Sequence, residues 1–136
     1  MKIYVLDANA VILFLLKGMH YQRVAELLKR ASSGEAKLFI SVVNWGEVLY
    51  SVAKSEGLNR ATANLKALSV YVEPVVADET LAEAAAAVRL HHHLGYADCY
   101  AAALAMRMSA VLVTSDPDFE KLGNKLKILS LPRHAG

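Results

Sequence analysis

Ala110-Val111-Leu112-Val113-Thr114-Ser115-Asp116-Pro117 is an apolar run that stops at two hydroxyls, an acid and a proline. The first five residues read as a buried strand, and Thr114 to Pro117 as the turn that leaves it. The flanking sequence repeats this pattern. Upstream, Asp78 opens an alanine-rich helix to Leu94 that Gly95 ends, and a further helix runs from about Ala97 to Met108. Downstream lie a short helical turn over Asp118–Leu122 and a last strand, Leu126–Leu131. At the amino terminus, Ile3-Tyr4-Val5-Leu6 is a strand halted by Asp7. Asp7 or Asn9 then caps a helix through Leu16 that stops at Gly18. A second helix spans about Tyr21 to Ala31, and Ser32-Ser33-Gly34 ends it. Leu38-Phe39-Ile40 is the next strand, with Ser41 capping a helix over Val42–Ser55. Gly57 closes that helix, and Leu58 or Asn59 opens another reaching about Tyr71. Val72 to Val76 is extended, and Pro74 places it at an edge or a strand end. Strands that alternate with helices predict an α/β fold with a mainly parallel sheet of four to five strands and helices on both faces.

A chain of 136 residues, 55% of them hydrophobic, suits a single domain over residues 1–136. The mean hydropathy of +0.30 is high for a small soluble monomer. Either the alanine-rich helices fill the interior, or apolar surface is buried against a second copy or another protein; a dimer is the expectation. A net charge of +2 permits a polyanionic substrate without demanding one. The lone Cys99 excludes an internal disulfide and a zinc site built on several thiolates, and suits a reducing cytoplasm. Asp7 and Asn9 interrupt the apolar amino terminus, and Ala10–Leu16 falls well short of the about 20 residues a membrane span needs. A cytoplasmic protein without a membrane segment is expected. Neither an internal repeat nor a linker is present, and Pro132–Gly136 is expected to fray.

In open α/β sheets, function gathers beyond the carboxyl ends of the strands. Asp7 directly follows the first strand, and Asp116 stands two residues past Ala110–Thr114. Glu47 lies about two turns into the helix after Leu38–Ile40, and Asp98 at the start of the helix after Gly95. Each acid has an ordinary structural reading: Asp7 a cap, Asp98 a charge favoured by the helix dipole, Asp116-Pro117 a turn opener. Glu47 fits such a reading least. Val43, Trp45, Val48, Leu49 and Val52 surround it, and no Lys or Arg occurs between Phe39 and Ala53. Gathered at one edge, such carboxylates repel one another unless a cation sits among them. Hard oxygen donors select Mg²⁺, with Mn²⁺ as the alternative, and phosphodiester hydrolysis is natural chemistry for that metal.

Four stretches together are similar to the PIN-domain family. They are Val5-Leu6-Asp7-Ala8-Asn9, Asn44-Trp45-Gly46-Glu47-Val48, Leu94-Gly95-Tyr96-Ala97-Asp98 with the helix that follows, and Val113-Thr114-Ser115-Asp116-Pro117-Asp118-Phe119. The small size points to its VapC-like toxin branch. The resemblance implies a PIN-like three-layer α/β/α fold and a Mg²⁺- or Mn²⁺-dependent ribonuclease whose acidic positions are Asp7, Glu47, Asp98 and Asp116. Asp7, Asp98, Asp116 and Glu47 would be the metal positions, with Glu47 orienting or deprotonating the attacking water. Thr114 matches a hydroxyl that orients an acid, and Asn9 a position that is often Ser or Thr. Asp118 stands beside the last motif, where it would assist or cap a helix. The resemblance further implies an RNA substrate, a homodimer and a small antitoxin protein as partner. A housekeeping RNA-processing nuclease would carry the same acids.

His91-His92-His93 imitates a metal cluster, but consecutive helical residues point about 100° apart and cannot converge on one ion. At a helix end they suit the dipole. The basic residues are scattered and mark no single nucleic-acid patch. Two other functions fit the acids. An aspartyl-phosphate phosphatase would want a second Asp where Asn9 stands, and a non-catalytic binding module would use the acids structurally.

Overall fold

The computed structural model describes residues 1–132, so all of the expected frayed tail beyond Pro132 lies outside the described residues. Five parallel strands form one sheet in the order β3-β2-β1-β4-β5: β1 Lys2–Leu6, β2 Ala36–Ser41, β3 Val72–Val75, β4 Val111–Thr114 and β5 Lys127–Ser130. The helices are α1 Ala8–Leu15, α2 Tyr21–Ser32, α3 Val42–Glu56, α4 Leu58–Leu68, α5 Glu79–His92 and α6 Tyr96–Met108, with a 3₁₀ segment over Pro117–Lys125. No helix among the described residues is long and apolar enough to cross a membrane.

Two-residue periodicity in the strands builds the layers. Tyr4, Leu6, Leu38, Ile40 and Val113 pack on one face with residues of α1, α2, α3 and α4. Val5 and Leu112 pack on the other with α5, α6 and Phe119 and Leu122 of the 3₁₀ segment. Because both faces are covered, the strands read as unbroken apolar runs. On the second face, Ala101, Ala102, Ala103 and Ala105 of α6 are buried, so small side chains let that helix lie close to the sheet.

Pro74 stands on the outermost strand β3, where its missing N–H removes no bond from the interior of the ladder. Two α-helix ends differ most from expectation. The fourth helix stops at Leu68, not Tyr71, because the Ser69 hydroxyl donates back to the Lys66 carbonyl and the chain turns into β3. The alanine-rich helix ends at His92, with His93 in the left-handed region at φ 53° as its cap. Gly95 is therefore the N-cap of α6 and does not terminate α5.

The strand order fixes where the site lies. From β1 the chain steps outward through β2 to β3, then returns to the other side of β1 as β4 and steps on to β5. The switch point falls between β1 and β4, and a crevice opens there beyond the carboxyl ends of the two strands. Leu112, fully buried on β4 opposite Val5, holds these two strands against α6. Leu112→Ala should lower unfolding stability by about 2–5 kcal/mol in urea titrations, whereas a loss below about 1 kcal/mol would show that the second face is loosely packed.

Candidate active site

Asp7 is the first residue after β1, and its backbone N–H still pairs with the Val113 carbonyl of β4 at 3.1 Å. Its side chain caps α1: Oδ1 accepts the Ala10 amide at 2.8 Å. Oδ2 accepts a short hydrogen bond from the hydroxyl of Thr114, the last residue of β4. Thr114 Oγ1 in turn accepts the Asp116 amide at 2.9 Å, and Asp116 Oδ1 accepts the Asp118 amide at 2.9 Å. One chain of hydrogen bonds thus runs from the end of β1 across the end of β4 into the turn. Thr114 thus donates to one acid, Asp7, and accepts from the backbone of another, Asp116. The cap of the 3₁₀ segment is Asp116, not Asp118, because the acid that precedes the first helical residue is the one placed to accept its free amides. Asp118 is exposed in that first turn, and Asn9 is half-buried in the first turn of α1.

Asp98 occupies the first turn of α6, where the helix dipole favours its negative charge. A side chain on Gly95 would bring its Cβ to 3.1 Å from Asp98 Oδ2, so the glycine keeps that carboxylate's place open. Asp98 and Asp116 both act electrostatically on Asp7. The Asp7 carboxyl is 1% exposed, and its pKa is pushed up from 3.8 to about 7. Burial is the main cause; the hydrogen bonds from Thr114 and Ala10 oppose it, and the charges of Asp98 and Asp116 add to it.

Glu47, half-buried on α3, joins through a residue that the sequence reading did not single out. Asn44 Nδ2 donates to Glu47 Oε1 at 2.9 Å and to the carbonyl of Ala97, the residue before Asp98, at 3.0 Å. The signal was available: Asn44 precedes Glu47 by three residues, the spacing that puts two helical side chains on one face. The polar partner that Glu47 needs is this amide, which is why the sequence around it holds no base. His92 Nε2 lies 3.1 Å from Lys125 Nζ at the end of α5. The histidine triplet thus sits at a helix terminus, bonded towards the 3₁₀ segment.

The donor set suits a hard cation: all four acids offer oxygen, and the most buried of them is destabilised in its charged form. Among the described residues, no three acidic, His or Cys side chains crowd one point closely enough to cage an ion unaided.

A model of the PIN domain matches residues 4–125. No curated protein sequence matches the chain. Among solved structures, a DNA-bound VapBC from Salmonella typhimurium aligns with TM-score 0.74 at 22% identity, over 96% of this chain and 99% of that one. A toxin–antitoxin complex from Klebsiella pneumoniae aligns with TM-score 0.69 at 20% identity, over 93% and 96% of the two chains. VapC20 of Mycobacterium tuberculosis, described as a sarcin-ricin-loop-cleaving toxin, aligns with TM-score 0.70 at 19% identity, over 88% and 95%. At these identities the likeness is one of fold.

The Asp7 carboxyl gives a pH-dependent test. Between pH 3.8 and about 7 the folded protein holds a proton that the unfolded chain has released. Stability therefore falls as pH rises through that window, and below it the effect is absent. Asp7→Asn removes the buried charge and keeps an oxygen for the Ala10 amide, while its NH₂ can donate to Thr114 Oγ1. In metal-free buffer at pH 7, thermal melts should place Asp7→Asn on the order of 5 °C above wild type, with the gap closing towards pH 4. A variant that melts below wild type at pH 7 would contradict this account of the site.

Proposed function

Because the chain belongs to the PIN-domain family, we propose that it is a metal-dependent endoribonuclease acting as a single domain. The observation that carries the reading is the Asp7–Thr114–Asp116 chain at the switch point, with Asp98 close enough to act on the same carboxylate. A cation bound there would offset the burial and the like charges that push the Asp7 carboxyl up. Asp7, Asp98 and Asp116 are the residues that would hold Mg²⁺, or Mn²⁺, directly or through water. When bound, the metal acidifies water and offsets negative charge on the phosphoryl group.

The protein's own residues divide the remaining work. Thr114 and the Ala10 amide keep both Asp7 oxygens in fixed positions, so the carboxylate needs no reorganisation to meet charge. The dipole of α6 steadies Asp98. Glu47 orients the attacking water and takes its proton. Water oxygen then bonds to phosphorus, the bond from phosphorus to the 3′ oxygen breaks, and that oxygen leaves with a proton from solvent. Asn9 and Asp118, at the rim of the crevice, serve as supporting polar groups.

The substrate proposed is RNA, as cleavage of the sarcin-ricin loop is the activity given for the similar VapC20. A small antitoxin is proposed as partner, because the likeness extends to chains solved in VapBC and toxin–antitoxin complexes. A homodimer is proposed as well. Large exposed apolar side chains, Tyr50, Val70, Val76 and Leu90, supply surface for such contacts. With its single cysteine, the protein suits the cytoplasm.

Single-stranded RNA incubated with the purified chain should be cut in Mg²⁺ or Mn²⁺ and left intact in EDTA. Asp7→Asn and Asp98→Asn should each lower the rate by at least about a hundredfold while the fold persists by circular dichroism. In the same buffers, Mn²⁺ should raise the melting temperature of wild type and leave that of Asp7→Asn nearly unchanged. Wild-type cleavage rates in either variant would show that the acids are not the active site.

A further inference from the structure

Asn44 is fully buried, and both of its resolved hydrogen bonds leave from the amide nitrogen. Their acceptors, a carboxylate oxygen and a backbone carbonyl, have no hydrogen to give. The nitrogen must therefore face them, and the orientation of the amide is fixed by chemistry. Oδ1 consequently faces away, and it is buried with no hydrogen-bond partner among the described residues. A buried carbonyl oxygen left in this way carries a desolvation penalty with nothing to offset it. An aliphatic side chain would avoid that penalty while still filling the space between α3 and α6. What it would lose is the donor pair.

We propose that Asn44 is a positioning residue for the hydrolysis, and that its amide fixes the Glu47 carboxylate against the start of α6, where Asp98 stands. The inference rests on the ribonuclease reading above and adds to it the element that joins the α3 acid to the α6 acid. Glu47 is carried on a side chain with three rotatable bonds. Two hydrogen bonds from one rigid, buried amide remove that freedom, since the second anchors the first to backbone that cannot move without α6. Because Asn44 is neutral, it holds Glu47 without cancelling its charge, which a Lys or Arg at the same place would do. With Oε1 occupied by Asn44, Oε2 is the oxygen offered to water.

The test is a double-mutant cycle on the full chain, with Asn44→Leu, Asn44→Ala and Glu47→Gln, and each Asn44 variant combined with Glu47→Gln. Leucine keeps a branched shape, and alanine serves if leucine does not fold. Both single Asn44 variants should melt within about 2 °C of wild type or higher, having lost an unsatisfied oxygen. Their kcat on single-stranded RNA in Mg²⁺ should fall about tenfold or more with KM within about twofold, and neither should slow Glu47→Gln further. Calorimetric Mn²⁺ affinity, measured without RNA, should weaken about threefold in Asn44→Ala and in Glu47→Gln, with no added loss in the double variant. Losses that multiply in the Glu47→Gln background, wild-type kinetics in the Asn44 variants, or a melting temperature that collapses with the rate in both Asn44 variants would each overturn the positioning role. A wild-type protein that binds Mn²⁺ but cuts no RNA would overturn the ribonuclease reading alone, and the Mn²⁺ cycle would still decide the tether. Failure of wild type both to cut and to bind would overturn both.

Discussion

A carboxylate buried at the end of the central strand is the constraint around which this molecule is arranged. Asp7 cannot reach bulk water, and its charged form is opposed by burial and by two neighbouring acids. It is held by the Thr114 hydroxyl and the Ala10 amide, each supplied by an element that meets β1 at the switch point. Moving β4 or α1 by one residue would strand that carboxylate without a donor. The register of β1 on β4 and the start of α1 are thus tied to a single side chain, and so is the crevice between them.

The groups that hold Asp7 and Glu47 share one property: they are neutral. Thr114 and Ala10 hold Asp7, and Asn44 holds Glu47. The two ion pairs found among the described residues, Arg30 with Glu35 and Arg107 with Asp78, lie in other parts of the chain. A guanidinium bonded to Asp7 or Glu47 would stabilise that acid more effectively, yet it would also consume the negative charge that attracts a cation. Neutral donors fix position and leave that charge in place, at a cost to the stability of the metal-free protein. This is the pattern expected where geometry and charge are needed for chemistry and not for folding.

Much of this could be read from the chain because its strands are buried on both faces. Ile3–Leu6 and Ala110–Thr114 stand out as apolar runs with an acid just beyond them, and the carboxyl-edge rule then places Asp7 and Asp116 together. Element order, the parallel sheet and the edge position of the strand containing Pro74 follow from the same local signals. The boundaries that differ, Leu68 for Tyr71 and His92 for Leu94, depend on side-chain bonds and a left-handed residue that propensity does not register. The role of Asp116 as the cap in place of Asp118 is of that kind too. The pairing of Asn44 with Glu47 is legible in their three-residue spacing, but the link Asn44 makes to α6 is not. Its second partner is a backbone carbonyl on α6, 53 positions away in sequence, and nothing in the local pattern announces it.

The unequal burial of the four acids follows from where each enters. Asp7 comes from within the sheet and must be buried; Asp116 and Asp98 arrive from a turn and a helix start and remain half-exposed; Glu47 approaches from the side of α3. An ion seated among them would meet a deeply fixed ligand on one side and partly hydrated ones on the other. On the reading proposed above, such a gradient would let water and a phosphodiester enter from the exposed side, while the buried side keeps the geometry constant. Asp7 is on this view the anchor of the site, and Asp98, Asp116 and Glu47 face what enters it.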